Sequence, residues 1–223
     1  MAYVHIMFMG SLYGFIPLLP MAALFHFVKR KIDSGKNIKA AIPHMIVVYV
    51  FCFVILAILS VAGIPTASGF SAFPIINMVP FTGIYTYSIH YAQNIMLFIP
   101  FGFLLPMLWK KFDRLHITVI YGALFSLSIE ILQIFCPRVT DIDDFLMNTA
   151  GAAAGYCLFV LAKKLIPGIS VISAGDAKQW KWEPYFYVAL AWASMVFVKP
   201  VASWLLMGSL VSSPGAPRML PPL

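Results

Sequence analysis

Charge is what this chain has least of. Only 10% of its 223 residues are Asp, Glu, Lys or Arg, whereas 61% are hydrophobic. A soluble globular domain carries about a quarter charged residues, so too little polar surface remains here to coat a water-soluble body. Acid is scarcer than base, with eight Asp and Glu against fifteen Lys and Arg and a net charge of +7. The basic residues sit in separate clusters between apolar runs instead of forming one stripe, which excludes nucleic acid as the partner. Cysteine is rare too: Cys52 and Cys157 fall inside apolar runs and Cys136 near a helix end, a scatter that makes neither a disulfide framework nor a zinc site. There is no Gly-x-Ser-x-Gly, no His-Glu-x-x-His, no P-loop and no internal repeat. No metal and no cofactor are expected. The first apolar run lacks a basic segment before it and carries its charges after it, the pattern of a retained helix and not of a cleaved signal peptide.

What is present is a series of apolar runs, at 6–28, 43–64, 91–109, 115–135, 144–162 and 184–207. A spanning helix needs about 20 such residues. The chain therefore reads as an all-α, polytopic transmembrane helical bundle of about six spans, with residues 1–223 forming a single transmembrane domain. Pro17 and Pro20 in the first run, and Pro100, Gly102 and Pro106 in the third, predict kinks that neighbouring helices can accommodate.

Basic residues alternate with the runs. Lys29, Arg30, Lys31, Lys36 and Lys39 form one cluster, Lys110, Lys111 and Arg114 a second, and Lys163, Lys164, Lys178 and Lys181 a third. The positive-inside rule assigns all three to the cytoplasm, which leaves 65–90, 136–143 and both termini outside. Trp180, Trp182, Tyr185 and Tyr187 fit an interfacial aromatic belt at the start of the last helix. The segment 65–90 contains no Lys, Arg, Asp or Glu and reads either as a re-entrant or interfacial piece over the bundle or as an ordinary outer loop. The tail 212–223 reads as a disordered terminus.

Against this apolar background a few polar residues stand out. Glu130 lies in the fourth helix, where a carboxyl group is costly unless it faces protein, water or a partner. Ser126, Glu130 and Gln133 fall within a sector of about 60° at helical spacing, a polar stripe directed at the bundle interior. Arg138, Asp141, Asp143, Asp144 and Asn148 follow within eleven positions. Thr140 or Asp141 makes a good N-cap, and Asp143 reads either as a further acid complementing the helix dipole or as a member of the polar set. Asp141, Asp144, Asn148, Gly151 and Gly155 share a face of about 80°. Its lower half, Gly151-x-x-x-Gly155, is a close-packing surface for another helix. His90 and Asn94 begin the third helix, at the same depth and side as the rest. Lys199, in the last helix, either snorkels outward or pairs with these acids. The set reads either as a headgroup or cation site, with Glu130, Asp141 and Asp144 as reactive carboxyls and Asn94, Gln133, Arg138, Asn148 and His90 as binding groups, or as a self-neutralising knot around Arg138.

At these residues the sequence resembles the VanZ family of bacterial membrane proteins. Asn94–Gly102 (NIMLFIPFG) is similar to the family's Asn…Phe-x-Pro-x-Gly segment, and the Glu130-x-x-Gln133 pair to its Glu-x-x-Gln motif. Arg138–Gly151 (RVTDIDDFLMNTAG) resembles its Arg…Asp-x-x-Asp…Asn-x-x-Gly signature, and Asn77–Phe81 (NMVPF) an Asn-x-x-Pro-Phe segment. Together these span 77–160. The resemblance implies a bacterial cytoplasmic membrane, a link to the cell envelope and low-level resistance to teicoplanin. It also implies functional roles for Asn94, Glu130, Gln133, Arg138, Asp141, Asp144 and Asn148. It names no reaction.

Three functions follow as expectations. The first is a protein whose outer polar site binds or shields an envelope lipid or glycan precursor, or a lipidated glycopeptide. The second is an intramembrane enzyme modifying a lipid or glycan headgroup by carboxylate acid/base chemistry. The third is a small transporter or flippase with Glu130 as its protonatable residue. Membrane lipids are the expected surroundings in each case.

Overall fold

The computed structural model describes residues 2–32, 38–64, 75–81, 88–136, 139–166, 181–198 and 200–201. Its helices are α1 (Ala2–Ile32), α2 (Ile38–Ala62), α3 (Ser88–Leu108), α4 (Leu115–Gln133), α5 (Ile142–Leu165) and α6 (Glu183–Ala193). The last continues as a wider turn, Ser194–Val198. Five are long and apolar enough to cross a membrane, and Glu183–Val198 is a shorter apolar helix. The architecture is the expected helical bundle of a multi-pass membrane protein. Pro43, Pro100 and Pro106 are absorbed without ending their helices.

The outward faces show why lipid is the fitting solvent. Ile16, Leu24, Ile46, Val50, Met96, Leu124, Ile131 and Leu158 are all exposed although large and apolar, and they lie on the spanning helices. In water such a belt would drive aggregation; in a bilayer it costs nothing. The interior is aromatic. The Phe101 ring stacks on Phe125 at 5.0 Å and on Phe51 at 5.5 Å, joining α2, α3 and α4. Phe98 and Trp109 extend this column along α3, and both are buried.

Small residues set the tightest seam, between α3 and α5. A Cβ on Gly151 would collide with the Ile95 carbonyl oxygen, and one on Gly155 with the carbonyl oxygen of Ile99. Across the same seam a Cβ on Gly102 would strike the Ala152 backbone. The Gly151-x-x-x-Gly155 face thus packs on a neighbouring helix as its spacing predicts. Such backbone approach gains dispersion contacts that lipid chains cannot match.

The chain ends α2 and α4 at the level where α3 and α5 begin: the Gln133 side chain donates to the Ala62 carbonyl at 2.8 Å, and Asn94 reaches Asp144. At the opposite end Lys163 pairs with Asp113 at 2.6 Å and Lys111 donates to the Lys181 carbonyl at 2.7 Å. Among the described residues Lys110, Lys111, Lys163 and Lys181 therefore gather at this end together with Asp113, whereas Glu130, Asp141, Asp143 and Asp144 lie at the other.

Part of the segment 65–90 contributes a small element of its own. Residues Ile76–Asn77 (β1) pair in parallel with Thr140–Asp141 (β2), in the register Ile76 to Thr140 and Asn77 to Asp141. The described stretch 75–81 is thus tied to the bundle by its backbone, and Phe81 takes a left-handed conformation with φ 63°. Residues 65–74 and 82–87 of that segment lie outside the described residues, as do Arg138, Lys178, Trp180, Lys199, the end of the last apolar run and the tail 212–223. One expectation is corrected. Tyr187 does not belong to an interfacial belt: it is fully buried and shares a 3.1 Å hydrogen bond with His26. Trp182 and Tyr185, on the other side of the same helix start, are exposed as a belt requires.

Candidate functional site: an acidic cavity at one end of the bundle

Between the ends of α2 and α4 and the beginnings of α3 and α5 lies a cavity of about 640 Å³. Asn94, Glu130, Gln133, Asp141, Asp144, Asn148 and His90 all line it. Seven of the eight residues singled out from the sequence are therefore brought together, and the eighth, Arg138, lies outside the described residues.

Each polar side chain is held by a specific neighbour. Asp141 caps α5, its Oδ1 accepting from the Asp143 N–H at 3.0 Å. The same carboxyl accepts from the Asn77 amide, at 3.2 Å and 3.3 Å to its two oxygens. Glu130 is 5% exposed, and its Oε2 accepts from the Asp141 N–H at 3.1 Å. A carboxyl from inside α4 thereby binds the backbone of the following strand, and Thr140 returns a hydroxyl contact to the Glu130 carbonyl at 3.4 Å. Asn94 donates to Asp144 Oδ1 at 2.6 Å, and Asn148 donates to Ser126 at 3.0 Å. His90 stands exposed on the first turn of α3, where it lines the cavity.

Of the two readings of Asp143, the structure favours membership of the polar set, although the residue also lies in the first turn of α5. It is 1% exposed and is the most buried carboxyl of the cluster. Both of its oxygens accept from the Phe81 N–H, at 2.9 Å and 3.0 Å, and Oδ2 also accepts from the Tyr91 hydroxyl at 2.7 Å. Asn77 and Tyr91 are thus site residues that the sequence reading does not rank, and Asp143, noted there within the acidic cluster, joins them. The signal for Asn77 lies in Asn77–Phe81, a polar residue and a Pro-Phe pair inside an uncharged loop.

Among the described residues the lining holds four carboxyl groups, those of Glu130, Asp141, Asp143 and Asp144, and no Lys or Arg. Every donor given above to these groups is neutral, an amide, a hydroxyl or a backbone N–H. The facing wall is apolar, made of Ile58, Val61, Leu97, Phe98 and Ile129. Below Phe98 the stacked rings of Phe101 and Phe125 fill the core, so the cavity is lined from one end of the bundle only. No group of three or more His, Cys, Asp or Glu side chains among the described residues is arranged to hold a metal ion.

A second polar cluster, unranked in the sequence, lies at the basic end. The buried Glu183 meets His44 Nε2 and the Trp109 indole N–H, each at 3.4 Å. It joins the starts of α2 and α6 to the end of α3, with the Tyr187–His26 pair beside it on α6 and α1.

The cavity residues fall within the part of the chain that has known relatives. The sequence profile of the VanZ/LLP1 family matches residues 44–163. Protein VanZ of Enterococcus faecium is 36% identical over 90 residues, which covers 40% of this chain and 55% of that protein. The alignment thus spans about half the length of that curated relative. No solved structure matches the chain. With a match that covers more than half of its length and contains every described residue singled out for the site, the protein belongs to the VanZ/LLP1 family.

Proposed function

We propose that this protein resides in the bacterial cytoplasmic membrane with its acidic cavity facing outside, where it binds or shields an envelope lipid or glycan precursor or a lipidated glycopeptide. In that role it contributes to resistance against teicoplanin-type antibiotics. One observation carries the reading: a cavity of about 640 Å³ with an acidic, amide-bearing wall opposite an apolar one, at the end of the bundle away from the lysines. That volume lies within the range of small-molecule sites, about 300–1,000 Å³. The position of Lys110, Lys163 and Lys181 at the other end supports an outward-facing cavity under the positive-inside rule. An acyl-bearing ligand of the outer leaflet would meet both of its walls. The filled core beneath Phe98 favours a receptor over a conduit, and transport is the weaker reading for that reason.

The test pairs phenotype with stability. Glu130→Gln and Asp144→Asn keep a carbonyl oxygen where each carboxylate now accepts, from Asp141 N–H and Asn94 respectively. Each exchange should cost no more than about 1 kcal/mol in stability. A strain lacking the chromosomal copy is complemented with wild type or either variant, and teicoplanin susceptibility is measured beside the melting temperature of each purified protein. The expected result is stable protein with resistance lost. Joint loss of stability and resistance would reduce the cluster to a structural knot, and full resistance in both variants would remove these carboxyls from the function.

A further inference from the structure

Residues 75–81 expose more apolar surface than a loop in water would. Ile75, Ile76, Met78, Val79 and Phe81 are large and apolar, and each is at least 47% exposed. No charged residue stands among them. An apolar patch of this kind marks contact with a partner or a membrane. The backbone beneath it is tied down along its length. The Ile75 carbonyl accepts from the Thr140 N–H at 3.0 Å, and β1 pairs with β2. The Val79 N–H donates to Asn77 Oδ1 at 3.2 Å, Pro80 has no N–H to offer, and the Phe81 N–H donates to Asp143 at 2.9 Å. The polar tethers thus lead into β2 and α5, whereas the apolar side chains are open to the surroundings. A lipid environment requires satisfied donors beneath apolar side chains; water does not.

The strap also adjoins a surface that already faces lipid. Along α4 and just past its end, Ile120, Leu124, Leu127, Ile131 and Phe135 are all exposed and recur every three or four residues, which makes one stripe. Strand β2 is held against the last turn of α4, through the Asp141 N–H on Glu130 Oε2 and the Thr140 hydroxyl on the Glu130 carbonyl. Paired with β2, β1 therefore lies at the end of the helix that carries the stripe. We infer that residues 75–81 form an interfacial strap, with Met78, Val79 and Phe81 inserted at the boundary between lipid headgroups and acyl chains. The strap contributes Asn77 to the cavity lining, so the rim of the cavity stands at headgroup depth. It takes this place whichever end of the bundle faces outside and whatever the cavity binds.

The test uses the full chain, reconstituted in vesicles of phosphatidylethanolamine and phosphatidylglycerol, with Cys52, Cys136 and Cys157 replaced. A nitroxide is attached at Met78→Cys or Val79→Cys. Leu124→Cys on the lipid-facing stripe and Lys164→Cys at the basic end serve as references. Power saturation compares collision with oxygen, which concentrates in the bilayer, and with a nickel chelate, which stays in water. At Met78 and Val79 oxygen access should exceed nickel access, as at Leu124 and opposite to Lys164. Nickel access at both positions equal to that at Lys164 overturns the inference. A label shielded from both reagents also overturns it, because another part of the chain would then cover the patch. Dipolar broadening between copies does the same, because a second copy would be the occupant. Should the labelled variants fail to fold, the native methionines of the unaltered chain decide. Chloramine-T in the water on both sides of the membrane should oxidise Met78 at a rate within a few-fold of Met96, which is exposed on α3. A rate at Met78 equal to that of the chain unfolded in guanidinium chloride overturns the inference.

Discussion

A carboxyl group at the start of a helix can cap it, can reach a neighbouring helix or can be buried beneath another piece of chain. Asp141, Asp144 and Asp143 divide these roles among themselves. Asp141 holds the α5 N-terminus, and Asp144 takes the Asn94 amide from α3. Asp143 anchors 75–81 to the bundle through Phe81 N–H and links it to α3 through Tyr91. The anchoring makes a quantitative expectation. Asp143→Ala leaves the Phe81 N–H and the Tyr91 hydroxyl without their acceptor and should cost about 1–3 kcal/mol, against about 1 kcal/mol for Tyr91→Phe. The double variant should cost less than the two singles added, because one hydrogen bond is removed by both. Denaturation of the purified proteins measures this. Strict additivity would mean that the two side chains do not act together in the folded protein.

At the scale of elements, the seam between α3 and α5 fixes the floor of the cavity. Gly151 and Gly155 admit the backbone of α3 at Ile95 and Ile99, and Asn94 then falls within reach of Asp144, about two turns before Gly151. Gly151→Leu or Gly155→Leu would force the helices apart, at a cost of about 1–3 kcal/mol per site. Leu158→Ile, on the exposed face of α5, should leave melting in detergent nearly unchanged. Equal melting of all three variants would show that the glycine face meets lipid instead. Gly151→Leu should also weaken drug resistance, since Asn94 and Asp144 sit on the two displaced helices.

Over the whole molecule, the distribution of charge predicts orientation. Val139 is exposed at the acidic end and Lys110 at the basic end. In a background in which Cys52, Cys136 and Cys157 are replaced, Val139→Cys should react with an impermeant thiol reagent in intact cells. Lys110→Cys should react only after the membrane is opened. The opposite pattern would turn the cavity toward the cytoplasm and end the proposal of an outer-leaflet ligand. The match to relatives starts at His44 and ends at Lys163. It therefore includes the cavity but omits α1 and α6, which contribute His26, Glu183 and Tyr187 to the second polar cluster.

Composition and helical spacing account for the solvent, the helices and most of the site. An excess of apolar residues leaves no alternative to lipid, and the length of each run sets a span. Helical spacing put Glu130 with Gln133 and Asp144 with Asn148, because neighbours at i+3 and i+4 must share a face whatever surrounds them. The small-residue pair in α5 likewise specified a helix partner, since only close packing gives Gly such use. What covers each face depends on contacts between distant segments. Asp143 sits on the far side of α5 from Asp141 by helical count, a position that reads as solvated. It is buried because residues 75–81, more than sixty positions earlier, return to pair with β2. Tyr187 has the composition of a belt residue and becomes core because His26 of α1 lies against it. The orphaned oxygen of Gln133 exists only because the end of α2 presents the Ala62 carbonyl to its amide. Periodicity is local and fixes direction within an element, whereas burial, pairing and an unfilled acceptor depend on segments far apart in the chain.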